Sequence, residues 1–443
     1  MKTGEVKSKF ARLTFRFGWG LQFTAEGRRK ISAEANGDDG LRWSNGCGVN
    51  DYLGAVGRIH GVLSGSFRDD QLRENLVERM IDANAKLMKT KATMDRLQKD
   101  YPWTHAPLIV GAPMRLIALS KLACEISNAG GLGYIGAGSD ASTLEHELQQ
   151  AKLSLRGPSA NDTLPVGVGF LLWAGEKLLQ ESLPILERHK PAAIWLFAPE
   201  KPDQLKRWAQ ECRRVTSSKS KIWIQIGTVN EALEAVRSCQ PDVLVVQGTD
   251  AGGHGLEDCA GLMSLLPEVD DAVSSHCIAQ NLPKPVLIAA GGIMDGRGVA
   301  ASLSLGASGV VMGTRYLACP ESNIAKGYQD AVINARDGGV NTARGKLYDS
   351  LRGTTDWPAH YGGRSVLNES WHDAAKGMSF EENKRLYDDA LQLGDDGWGE
   401  KARLTTYAGT GVGLVKEVKA AADVTREVRE EGIHITRRAR SFL

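Results

Sequence analysis

Three groups of residues in this chain have types and spacings suited to chemistry. The first is a histidine embedded in glycine, Gln247-Gly248-Thr249-Asp250-Ala251-Gly252-Gly253-His254-Gly255. An imidazole can accept a proton or hydrogen-bond a developing anion near neutral pH, and the flanking glycines would let His254 lean over a flat ring with little hindrance. An isolated histidine in a flexible loop is usually a surface residue; these neighbours turn the reading toward function, with Asp250 placed to orient a ring or to brace the loop. The second group is a pair of glycine turns, Ala290-Gly291-Gly292-Ile293 and Met312-Gly313-Thr314-Arg315. Glycines let backbone N–H groups approach and point at phosphate oxygens, and a helix N-terminus adds a favourable dipole. Either turn alone fits a tight strand-to-helix connection. Together they predict a grip on the phosphate of a phosphorylated cofactor. The third group joins the proline turn Gly111-Ala112-Pro113-Met114, with a soft thioether to set against an apolar ring, to Gln225 and Gln247, amides that interrupt apolar runs and need partners once buried.

Each group sits at the end of a short apolar run, and the runs alternate with helical stretches from Ala106 onward. That is how parallel strands buried on both faces and their crossover helices read. Eight strands are expected: Pro107–Val110, Gly133–Gly136, Val166–Phe170, Ala193–Phe197, Ile222–Gln225, Asp242–Gln247, Val286–Ala290 and Gly309–Met312. Between them, Ser142-Thr143-Leu144-Glu145 and Thr228-Val229-Asn230-Glu231 fit the capping box that opens a helix. Eight β-then-α units predict an α/β fold, a (β/α)₈ TIM barrel. In such barrels the active site lies at the carboxyl ends of the strands, with phosphate held after strands seven and eight, where both glycine turns fall. An open doubly wound sheet would usually send its first strand into a dinucleotide glycine fingerprint, and Gly111-Ala112-Pro113-Met114 does not supply one. A Gly-Lys-Ser/Thr polyphosphate signature is also absent, and Gly409-Thr410-Gly411-Val412-Gly413, which follows no strand, reads as a loop.

The domain expectation is fourfold: an irregular or disordered extension at 1–68; an amphipathic helix and linker at 69–105, with Leu72, Leu76, Met80, Ala83, Leu87 and Met94 along one face of a helix ending near Asp100; the barrel at 106–324; and a small helical subdomain with a C-terminal helix at 325–443, capping the barrel mouth. Lys and Arg number 54 against 53 Asp and Glu, so no whole-chain field draws the protein to nucleic acid or anionic lipid. The longest uncharged run, Gly298–Thr314, falls short of a bilayer-spanning helix. Seven scattered cysteines, never in a CxxC pair, suit a reducing compartment and give neither a disulfide framework nor a metal site. A cytoplasmic location is expected, with organelle import left open; oligomeric state is not readable.

The motifs Gly111–Met114, Gln247–Gly255, Ala289–Ile293 and Met312–Arg315, in this order, resemble the nitronate monooxygenase family, and Arg352-Gly353-Thr354-Thr355-Asp356-Trp357 with Gly411-Val412-Gly413 is similar to its fungal branch. The resemblance implies FMN, with its phosphate on Gly291, Gly292, Gly313 and Thr314. Its ring would lie near Ala112, Pro113 and Met114, with Gln225, Gln247, Gly252 and Gly253 along its edge. It further implies His254 as the active-site histidine, a nitronate or nitroalkane substrate, and oxidation by O₂ to a carbonyl compound and nitrite. Asp250 stands where the family usually has glutamate, and Gly169 where many bacterial members carry a polar side chain. Two alternatives share the barrel: a flavin-dependent enoyl-thioester reductase using NAD(P)H, and a flavin-binding barrel without catalysis.

Overall fold

The computed structural model describes residues 13–17, 21–26, 30–35, 92–156 and 162–439. They fall in two compact units, residues 1–91 with 440–443, and residues 92–439. In the first unit, β1 (Leu13–Phe17), β2 (Leu21–Glu26) and β3 (Lys30–Ala35) form an antiparallel meander, with Phe15 opposite Phe23 and Phe23 opposite Ala33. Residues 13–17, 21–26 and 30–35, expected as part of an irregular extension, are strands, and the rest of that extension lies outside the described residues. The sequence there alternates with period two, Leu13/Phe15/Phe17 and Leu21/Phe23/Ala25, in runs too short to stand out singly. Of the helix expected from Asp69 to Asp100, residues 92–100 are helical, and the rest lies outside the described residues.

The second unit contains the barrel. All eight expected strands form: β4 (Leu108–Gly111), β5 (Tyr134–Gly138), β6 (Leu164–Leu171), β7 (Pro191–Phe197), β8 (Lys221–Ile226), β9 (Val243–Gln247), β11 (Val286–Ala290) and β12 (Gly309–Met312). They run parallel in the order β4-β12-β11-β9-β8-β7-β6-β5. A parallel bridge from Val110 to Leu132, just ahead of β5, closes the ring. Helices such as Ser120–Asn128, Glu176–His189 and Pro202–Val215 cover the outside, burying Leu122, Leu179 and Trp208.

The barrel floor is aromatic. Tyr134, Trp195 and Trp223 pack inside, Tyr134 edge-on to Trp195 at 5.1 Å between ring centroids. Tyr101, following the 92–100 helix, closes the amino-terminal end, and its hydroxyl accepts the Trp223 indole N–H at 2.7 Å. Arg96 pairs with Asp242 and Lys221 with Asp100, pinning this helix to the starts of β8 and β9.

Thr228 caps the helix Val229–Cys239 by accepting from the Glu231 N–H, while Glu231 accepts from the Gly227 N–H. The box expected at Ser142–Glu145 does not form. Asp140 takes both the N–H and the hydroxyl of Ser142, and Glu145 turns to His189 and Arg188. The carboxylates found nearer or more strongly charged partners.

After the barrel, β13 (Thr342–Gly345) and β14 (Tyr361–Val366) join β10 (Gly253–Leu256) in an antiparallel sheet of order β10-β14-β13. The last helix, Ala421–Ala439, lies along the barrel wall: Glu431 accepts from the Gly296 N–H, and Arg429 donates to the carbonyls of Ala129 and Gly130. Among the described residues no helix is long and apolar enough to cross a membrane.

Candidate active site

All the residues singled out from the sequence lie at the carboxyl ends of the strands. The turn after β4 folds inward over the barrel: the Ala112 N–H donates to the Met312 carbonyl at 3.0 Å, and Pro113 rests on β6. Gly136 and Gly169 make this approach feasible, because a Cβ on Gly136 would sit 2.5 Å from the Met114 backbone and one on Gly169 would sit 2.3 Å from Pro113 Cβ. The bacterial-type polar side chain has no room at 169. Beneath the turn a cleft is lined by Pro113, Phe170, Trp195, Phe197 and Gln225. Gln225 accepts the Trp195 indole N–H at 3.1 Å, and its amide nitrogen is buried without a partner. Such an orphan donor is costly unless a ligand acceptor completes it.

The glycine turns are neighbours, since Ala290 on β11 pairs with Val311 on β12. Gly291 and Gly292 adopt φ of 105° and 74°, a left-handed pair that side-chain-bearing residues resist. A Cβ on Gly313 would lie 3.6 Å from Ala112 and 3.8 Å from the Met114 sulfur, so the proline turn and the second glycine turn touch. The Gly409–Gly413 segment, expected only as a loop, joins this assembly. The Gly409 N–H donates to the Thr314 hydroxyl at 3.0 Å, Thr410 bonds Asp250 through both its N–H and its hydroxyl, and Gly411 lies against the Gly292 carbonyl. Asp250 therefore braces the loop. A Cβ on Gly252 would sit 2.3 Å from the Gly409 nitrogen, which is why that position has none.

His254 is held by strand pairing as well as by its glycines. It sits on β10 opposite Gly363 of β14, and Gln247 donates to its carbonyl at 3.4 Å, supporting this strand. Its Nε2 lies 2.9 Å from Oδ1 of buried Asp349, its ring stacks on Trp357 with centroids 3.7 Å apart and planes within 2°, and Tyr407 lies tilted at 5.3 Å. Tyr407 donates to the same Asp349 oxygen at 2.6 Å. Burial, reinforced by the Asp349 charge, pushes the Tyr407 phenol far above its ordinary range, so it stays a donor. Arg344 on β13 donates to the carbonyls of Thr249, Ala251, Gly253 and Gly362, latching the histidine loop; burial, with Arg364 beside it, pulls its guanidinium down to about 10.

The sequence motifs missed Asp349, Tyr407 and Arg344, which lie some ninety to one hundred and fifty residues beyond the histidine loop and reach it through the β10-β14-β13 sheet. Trp357 stood out only as the end of the Arg352–Trp357 motif. Among the described residues no cluster of three or more histidine, cysteine or acidic side chains could hold a metal.

The profile of the family described as "Nitronate monooxygenase" matches residues 201–348. A nitronate monooxygenase of Metarhizium robertsii is 43% identical over 343 residues, 76% of this chain and 93% of that protein. One of Neurospora crassa is 36% identical over 371 residues, 80% and 96% of the two chains. The structure of FabK from Thermotoga maritima, 21% identical, superposes with a TM-score of 0.60 over 79% of this chain and 99% of that one, a likeness of fold. Taken with the eight-stranded barrel and the histidine at its carboxyl end, the long and extensive identity to two named relatives shows that the chain belongs to the nitronate monooxygenase family.

Proposed function

We propose that this enzyme binds FMN at the carboxyl end of the barrel and oxidises alkyl nitronates with O₂ to a carbonyl compound and nitrite. The observation that carries the reading is the convergence, at one end of one barrel, of an unpaired Gln225 amide nitrogen, two glycine turns on neighbouring strands and His254. The residues fit the cofactor. Gly291, Gly292, Gly313 and Thr314 would hold a phosphate; Ala112, Pro113 and Met114 would bound the ring; the free Gln225 N–H group would meet an acceptor on its edge, with Gln247, Gly252 and Gly253 nearby. FMN would supply the transfer of electrons from substrate to O₂.

As the imidazolium, His254 would hydrogen-bond the nitro group of a bound nitronate and offset its charge in a site shielded by Trp357, Phe197 and Tyr361. For a neutral nitroalkane it would also take the α-proton. The test is an absorbance spectrum of the purified protein, then ethylnitronate or propionate 3-nitronate added in air with nitrite assayed. A yellow protein that releases nitrite is expected. His254→Asn should keep FMN and lose most turnover. A colourless protein unable to take up flavin, or rapid bleaching by NADPH with no nitrite from any nitronate, would overturn the proposal.

A further inference from the structure

Resting on that reading of His254, we propose that Asp349, backed by Tyr407, is the positioning residue that fixes the imidazole as its Nε2–H tautomer and leaves Nδ1 as the nitrogen that accepts the substrate proton. Asp349 lies on the helix Leu347–Arg352, 95 residues from His254 in sequence, with its side chain 6% exposed. Its Oδ1 faces His254 Nε2 at 2.9 Å, the Tyr407 hydroxyl at 2.6 Å and the Thr354 hydroxyl at 3.4 Å. A carboxylate has only acceptors to offer, so the imidazole must present an N–H to it. The phenol cannot reverse the arrangement, because Tyr407 is buried and held in its protonated form by the neighbouring charge.

The ring has little freedom to turn away. Trp357 covers one face, and a Cβ at Gly363 would sit 3.4 Å from Nε2 and 2.6 Å from Tyr407 Cε1, so glycine there lets imidazole and phenol close on the same carboxylate. The titratable and charged groups facing the imidazole and its partners are Asp349, Tyr407, Tyr328, whose hydroxyl donates to the Tyr407 carbonyl, and Arg352, with its guanidinium 5.5 Å from the Tyr407 ring. In the proton step the substrate Cα–H bond breaks, its proton moves to Nδ1, and its electron pair stays on the substrate as the nitronate. Asp349 remains a carboxylate and faces the imidazolium that forms, stabilising it. A ligand histidine or base histidine oriented by a second group in this way is a general device for setting tautomer and basicity.

The experiment uses full-length holoenzyme with ¹⁵N-labelled histidine, as wild type, Asp349→Asn and Tyr407→Phe. Wild type should show His254 protonated at Nε2 and unprotonated at Nδ1 in long-range ¹H–¹⁵N spectra, and Asp349→Asn, which can donate from its amide, should shift the ring toward the Nδ1–H form. Asp349→Asn should retain its flavin absorbance and lose less of its turnover of ethylnitronate, which needs no proton removed, than of neutral nitroethane. Its kcat/KM on neutral nitroethane should fall by about tenfold or more, up to the ~10²–10⁴ that loss of general base catalysis would cost outright. The pH dependence of kcat/KM on nitroethane should change, because the group facing the imidazole has changed from a carboxylate to an amide. Tyr407→Phe should move the same readouts in the same direction and less far, and it carries the test if Asp349→Asn does not fold. A wild-type ring protonated at Nδ1, or equal losses on both substrates with an unmoved pH profile, would overturn the proposal. Wild-type protein that shows the tautomer switch but yields no nitrite would sink the proposed reaction while supporting the pairing.

Discussion

Replacing Gly169 with alanine tests whether the proline turn is a wall of the cofactor site. The new Cβ would stand 2.3 Å from Pro113 Cβ and 2.6 Å from its Cγ, whereas carbon atoms settle at about 3.5–4.0 Å. The pyrrolidine ring is tied to its own backbone and cannot rotate aside, so the turn must retreat by roughly 1.2–1.7 Å. Overpacking of this kind costs about 1–3 kcal/mol. If the displaced turn bounds the flavin ring, that cost appears in cofactor affinity as a weakening of about 5- to 150-fold. Fluorescence titration of the apoprotein with FMN reads the change directly. Gly339→Ala serves as the control, because its nearest neighbour, an Asp337 oxygen, lies 4.0 Å from the added Cβ. Unchanged FMN affinity in a folded Gly169→Ala protein would refute the placement of the turn against the ring.

Three further outcomes follow from the same geometry. Gln225→Leu removes a buried donor that has no protein partner but also the acceptor of the Trp195 indole N–H, so apoprotein stability should fall by no more than about 1–3 kcal/mol while FMN binds about tenfold more weakly; intact FMN affinity would contradict the assignment. Arg344→Met takes a donor from four carbonyls, of which Thr249 keeps Arg364, and should cost about 3 kcal/mol, with hydrogen exchange quickening at residues 249–255, and slow exchange there would show that the latch is not needed. Burial pushes the Cys124, Cys212 and Cys319 thiols up to about 12, so only ~1 in 10⁴ of each is thiolate at pH 8; peptide mapping after iodoacetamide treatment of the native protein should find them unmodified, and alkylation without denaturant would deny their burial.

The barrel was legible because parallel strands buried on both faces leave continuous apolar runs, and Gly or Pro breaks them where the chain turns. β11 and β12 begin and end at the residues the pattern marks. The glycine turns after β11 and β12 were legible for the same reason, since tight turns leave few residue choices. Local pattern failed where a choice depended on distant partners. Ser142 had the right neighbours for a cap and lost its amide to Asp140. Asp349 sits in Leu347-Tyr348-Asp349-Ser350-Leu351-Arg352, an ordinary short amphipathic helix, and nothing within that segment announces a histidine almost a hundred residues upstream. The link is made by β14, whose edge pairs with β10 only once the chain has folded back. Gly363, meanwhile, carries its meaning only through Tyr407 and His254 on either side.

Tyr101 has a bearing on where the catalytic unit may be cut. Its phenol stoppers the end of the barrel opposite the reaction, and the Trp223 indole has its hydrogen-bond partner there. A clone begun at the first barrel strand would lose that stopper and leave a hollow lined by aromatic rings, open to water and to chance apolar guests. The working minimum of this protein therefore reaches back at least to the short helix at 92–100, whose charged contacts with Asp242 and Lys221 seat the plug.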